Sequence, residues 1–126
     1  MPRESVELPG FAHANPIPAA SRVGPLLASG ALTGREPGTG EMPAGLDAQI
    51  GNVFRHISAL MEAAGADTDA IVKITFHLAD YRDRAALNRA WTAMFPDPSS
   101  MPARQVLAAS LDGGALVHAD LLAWIG

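Results

Sequence analysis

The sequence predicts a two-layer α+β domain, one mixed sheet with two helices on a single face. Two observations carry the prediction. In two separate stretches apolar residues recur every three or four positions, the period of a helix packed on a core. Around them apolar and polar residues alternate, the period of a strand with one buried face. A length of 126 residues leaves room for a single domain, residues 1–126.

The elements follow in order. Arg3 to Leu8 reads as a short strand ended by Pro9-Gly10. Ala19–Val23 and Leu26–Leu32 read as two strands joined through Gly24-Pro25, a turn dipeptide. Thr33 to Gly45, rich in glycine and proline, is a loop. The first helix runs from Leu46 to Ala64, with Leu46, Ile50, Val53, Phe54, Ile57, Leu60 and Met61 as its apolar stripe. Gly65 follows, where a helix commonly ends in a left-handed residue. From Ala70 to Ala79, Val72, Ile74, Phe76 and Leu78 alternate with Lys73, Thr75 and His77, a strand with one apolar face. Asp83 is placed to cap a second helix whose stripe is Leu87, Ala90, Trp91 and Met94, closed by Pro96 and Pro98. Strands Ala103–Leu111 and Ala115–Ile125 end the chain, with Asp112-Gly113-Gly114 read as a hairpin turn between them.

Composition excludes several classes. The net charge is −4 and the nine basic residues are scattered, which argues against nucleic acid as the main partner. There is no cysteine, so a reducing, cytoplasmic setting is expected. No apolar run approaches the roughly 18 residues of a membrane span, and the N-terminal stretch lacks a signal-peptide core. His13, His56, His77 and His118 show no ligand spacing, so neither a metal nor a cofactor is expected. Charged residues make up 17% of the chain, which leaves part of the surface to be covered by other copies.

The last two strands suggest a second, helix-free sheet face. The odd positions from Val117 to Ile125 are apolar and belong against the helices; His118, Asp120 and Trp124 belong opposite. A hairpin pairing Leu111 with Ala115 sets Val106 against Asp120 and Ala108 against His118, with Arg104 diagonal to Asp120. That face would then hold Arg104, His118 and Asp120, with Lys73, Thr75 and His77 as further candidates, among Val106, Ala108, Leu116, Leu122 and Trp124. It is too apolar for open solvent, so subunit contact is the expected cover, with a cleft at its edge. His56 and His77 are expected at the surface or in an interface.

The stretch EAAGADTDAIVKITFHLADYRDRAALNRAWTAMF, Glu62 to Phe95, resembles the central block of the Rid/YjgF family of reactive-intermediate deaminases, also described as endoribonuclease L-PSP. MPAR, Met101 to Arg104, resembles the family's PAR signature; Ser29-Gly30 and NPIPAASRVG, Asn15 to Gly24, resemble its N-terminal blocks. The resemblance implies a chorismate-mutase-like α+β subunit, assembled as a homotrimer with pockets between subunits. It implies hydrolysis of imine or enamine acids to 2-keto acids and ammonia, with Arg104 holding the substrate carboxylate by a bidentate pair. A planar guanidinium suits that task and an ammonium does not suit it equally. Ser29 and Asn88 match pocket or interface positions. The sequence departs from the family's pattern at His118, where a water-orienting Glu is usual, with Asp120 on a further acidic position. It departs again at Ile17, where a Tyr is usual, and at His56, often Asn.

Three functions follow as expectations. The first is an imine/enamine deaminase in which Arg104 anchors, His118 handles the proton, and Ser29, Asn88, Ile17 and Asp120 line the pocket. The second is a non-catalytic sensor of a small carboxylate. The third, ranked last for want of a basic groove, is an endoribonuclease or translation inhibitor.

Overall fold

The computed structural model describes residues 2–8, 10 and 15–126. Pro9 and His13 lie outside them. Seven strands form one sheet among the described residues: β1 (Arg3–Val6), β2 (Ala20–Val23), β3 (Leu26–Ser29), β4 (Leu32–Thr33), β5 (Ile71–Leu78), β6 (Ala103–Ala108) and β7 (Val117–Trp124). Their spatial order is β1-β2-β3-β7-β5-β6, with β4 also pairing on β7. Only β5 and β6 run parallel; every other pair is antiparallel, so the sheet is mixed. Helices α1 (Leu46–Ala63) and α2 (Arg84–Met94) cover one face.

The buried layer forms where the two periods meet. Phe76, fully buried on β5, stacks on Phe54 of α1 at 5.6 Å and meets Trp91 of α2 edge-on at 6.0 Å. Trp91 in turn packs on Phe95 at 4.7 Å. Val117, Ala119, Leu121 and Ala123 of β7 face the same layer, as alternation requires. No helix among the described residues is long and apolar enough to cross a membrane.

The ends of α1 follow local chemistry. Gly65 adopts φ +77°, its N–H bonds to Glu62 O, and the Ala66 N–H reaches Met61 O, a Schellman ending. Arg22 of β2 adds a guanidinium on Ala64 O at 3.1 Å, a cation at the negative end of the helix. Asp83 is the residue before α2, yet its side chain makes no capping bond; Asp80 instead accepts from the Arg82 N–H and starts the short 3-10 turn Tyr81–Asp83.

The C-terminal hairpin is not there. Asp112-Gly113-Gly114 does turn, with φ +64° and +77° at the two glycines. The strands it joins lie on opposite sides of β5 rather than beside each other. The crossover through α2 brings β6 back parallel to β5, and β7 fills the other side of β5. The chain rounds the end of β5, where Ala109 N–H bonds to Leu78 O and Ala79 N–H to Leu116 O. The expected pairs of Val106 with Asp120 and Ala108 with His118 are therefore replaced. Asp120 pairs with Thr75, and His118 with His77.

Alternation in β5 also breaks once. Ile71 pairs with Ala123 and Lys73 with Leu122, leaving Val72 as the extra residue of a bulge. Ile71 thereby turns into the core, and Val72 is exposed rather than part of the apolar face with Ile74, Phe76 and Leu78.

Candidate functional site

The new register divides the candidate residues between two faces. Directly paired residues share a face, in parallel and antiparallel ladders alike. On the helix-free side one cross-strand row runs Thr33, His118, His77, Leu107, and the next runs Asp120, Thr75, Gln105. The His118 and His77 rings meet edge-on at 4.8 Å, and His77 Nδ1 lies 4.0 Å from Asp120 Oδ2. Burial and then the adjacent His77 lower the pKa of His118 below its ordinary value, while Asp120 pulls it up. The net effect keeps His118 neutral near pH 7, the form in which an imidazole accepts a proton.

Arg104 is on the other face. It pairs with Ile74, a core residue, so its side chain rises on the helix side of edge strand β6. Val106, paired with Phe76, does likewise. The placement of Arg104, Val106 and Ala108 on the helix-free face is corrected for one reason: the lost hairpin shifts their partners. The Arg104 guanidinium lies over the Trp91 ring at 5.2 Å, a cation–π contact. Its pKa is lowered by burial first and by the nearby Arg84 second. Arg104 has no carboxylate partner among the described residues. Arg104 and His118 are separated by β5, roughly 10 Å of sheet, and point to opposite sides. One chain alone does not bring them together.

The remaining candidates have distinct settings. Asn88 is exposed on α2, one turn before Trp91 and so on the stripe beneath Arg104. Ile17 is exposed in the segment before β2. Ser29 ends β3, where pairing with β7 breaks. Its hydroxyl accepts the Leu121 N–H at 2.9 Å and donates to Gly30 O at 2.8 Å, spanning the gap in the ladder. His56 is buried, 3% exposed, with Nδ1 2.8 Å from Thr33 O; the surface or interface expectation is corrected. It belongs to a polar row on α1 with Gln49 and Asn52, three or four residues apart, that sequence reasoning passed over because it tracked only the apolar stripe. His77 and the aromatic support of Arg104 were also missed as site features. Alternation signalled the first, but His118 as its partner required the long-range pairing.

The sequence pattern of the endoribonuclease L-PSP family matches residues 12–125, nearly the whole chain. The protein belongs to the Rid/YjgF family. A RutC family protein of Pyrococcus abyssi is 31% identical to it over 111 residues, 86% of each chain. The 2-iminobutanoate/2-iminopropanoate deaminase of Escherichia coli K12 is 38% identical over 69 residues, a stretch covering only 54% of that enzyme's length and of this chain. Among solved structures, YyfA of the Rid family from Yersinia pestis superposes with a TM-score of 0.91 at 23% identity, covering 98% of this chain and 100% of that one. The mixed sheet with two helices on one face is thus the Rid fold.

Proposed function

We propose that this Rid protein hydrolyses a small 2-imino or 2-enamino carboxylate to the 2-keto acid and ammonia, in a pocket completed by a second copy of the chain within a homotrimer. The observation that carries the reading is Arg104: a guanidinium held on an aromatic ring at the sheet edge, with no carboxylate to neutralise it among the described residues. Such a group is poised for a planar carboxylate. The name of the Escherichia coli relative supports the chemistry.

Arg104 of one copy would anchor the substrate carboxylate, with Asn88 beside it. His118 of the next copy would face it from the helix-free side, since the two residues diverge within one chain. Neutral His118 would take a proton from water as its oxygen adds to the imine carbon. The same proton would then pass to the nitrogen, giving a carbinolamine, and a second transfer through His118, from the new hydroxyl to the amine, would release ammonia as the carbonyl forms. Ile17 makes that pocket apolar, Asp120 steadies His77, and Ser29 holds β7 in place beneath Asp120.

A second reading is binding without turnover, favoured by the opposed directions of Arg104 and His118 within one chain. A coupled assay separates the two. An amino-acid dehydratase or oxidase supplies 2-aminoacrylate or a bulkier imino acid, and its loss is followed with wild type, Arg104→Lys and His118→Ala. Deamination accelerated by wild type and lost in both variants is expected. Ligand binding that needs Arg104, with no acceleration by folded wild type, would overturn hydrolysis in favour of sensing.

A further inference from the structure

The basic residues around α2 are not equivalent. Arg82 is locked on Asp80 by contacts of 2.8 and 3.0 Å, and Arg89 lies 3.6 Å from Asp47. Arg84, the first residue of α2, has no such partner among the described residues. Its guanidinium lies over the Tyr81 ring at 4.3 Å, and Nη1 is 3.4 Å from the Tyr81 hydroxyl. The Arg104 guanidinium lies over the Trp91 ring at a longer 5.2 Å.

These two guanidiniums occupy one corner of the molecule. Arg84, Asn88 and Trp91 stand at spacings of four and three, one stripe of α2 about 10 Å long from first to last. Strand β6, which carries Arg104, packs against the turn that carries Tyr81. Arg84 lies near enough to lower the pKa of Arg104 through like-charge repulsion. Two cations kept close without an anion between them repel, so folding alone gives no reason for the arrangement. No carboxylate among the described residues takes the N–H groups of either fork. Asn88, exposed between Arg84 and Trp91 on the same stripe, adds a neutral amide.

We infer that Arg84 is a second anion-binding residue beside Arg104, and that the site prefers short 2-imino acids carrying a second carboxylate. The inference rests on the reading of Arg104 as the carboxylate anchor. Arg104 takes the carboxylate next to the reacting carbon, and Arg84 takes the distal one across Asn88. The substrate class is therefore narrowed from small imino acids in general to short dicarboxylic ones, supplied by a reaction that oxidises or eliminates from an acidic amino acid.

Stable keto-acid products serve as probes. Binding of 2-oxoglutarate and 2-oxobutanoate is measured by calorimetry with wild type, Arg84→Gln and Arg104→Lys. The wild type is expected to bind the diacid about tenfold more tightly, the value of one charge-assisted contact. In Arg84→Gln that ratio should fall to about two or less, while Arg104→Lys weakens both ligands. Arg84 is exposed, so the variant's thermal midpoint, read in parallel, should match wild type. Binding of both acids through Arg104 with no preference in wild type, or a preference that survives Arg84→Gln, overturns the role of Arg84 alone. Absence of any binding that depends on Arg104 overturns the anchor reading beneath it, and the Arg84 inference with it.

Discussion

Gln49 spends its whole amide on backbone. Its Nε2 donates to Pro43 O at 2.7 Å and Gly114 O at 3.1 Å, and its Oε1 accepts the Leu116 N–H at 2.7 Å. The side chain is fully buried, so no water can take over those bonds. Gln49→Leu keeps the volume and strands three backbone groups. A loss of about 3 kcal/mol is expected in urea unfolding, with the slope of the transition unchanged. His56 lies on the same row and adds a dependence on pH. Burial, the largest influence, holds its pKa below the ordinary 6.5, and His118 is shifted in the same direction. As pH falls below that value the unfolded chain takes up protons before the folded one does, so stability is retained above about pH 6.5 and falls in the acid range. Urea midpoints should drop between about pH 7.5 and about pH 5.5, and drop less in His56→Gln, whose amide can still donate to Thr33 O. An equal drop in both proteins would remove His56 from the account. None of this row was legible in sequence, because a polar residue at a helical spacing looks like a solvent face until its loop partners are known. Arg104 was legible by type and by its MPAR setting. The face it points to was not, since that depends on which strand lies beside it.

The elements themselves were legible wherever period and punctuation agree. The apolar stripe of α1, its Gly65 ending and the alternation in β7 all stand as expected. The errors were in pairing. A glycine turn signals a local reversal, whereas the parallel neighbour of β5 is chosen by where α2 docks, a contact distant in sequence. Val72 was misplaced for a related reason, since a bulge shifts the period by one residue without changing composition. The gap between β3 and β7 offers a test at this scale. Ser29 supplies through its hydroxyl the acceptor that the interrupted ladder lacks. Ser29→Ala leaves the Leu121 N–H in the core layer unpaired and should cost about 1–2 kcal/mol in denaturant unfolding. A larger effect is expected at Gly34. A Cβ there would come within 2.7 Å of Gln49 Cβ and 2.9 Å of its backbone. Gly34→Ala must push α1 away from the sheet, so its thermal midpoint should fall by more than that of Ser29→Ala.

For the whole molecule the governing fact is the uncovered sheet face. Val23, Leu26 and Trp124 form one exposed cross-strand row, 42, 46 and 58% accessible, and Leu122 extends it along β7 towards the His77–His118 pair. A contiguous apolar patch of this kind marks a contact surface rather than a solvent face. The same face carries His118, and edge strand β6 carries Arg104, so association on it is what could bring the two residues towards one ligand. Assembly and function are then coupled, and one substitution tests both. Light scattering on the wild type should give about 39 kDa, three times the 13.1 kDa chain. Trp124→Lys places a charge in the middle of the patch without entering the core, since Trp124 points away from α1 and α2. It should yield a folded monomer, with near-native far-ultraviolet dichroism and at least about tenfold weaker binding of keto acids. A wild-type monomer that still bound ligand through Arg104 would place the pocket within one chain and remove His118 from it. A trimer unaffected by Trp124→Lys would move the interface to another surface, and with it the residues that face Arg104.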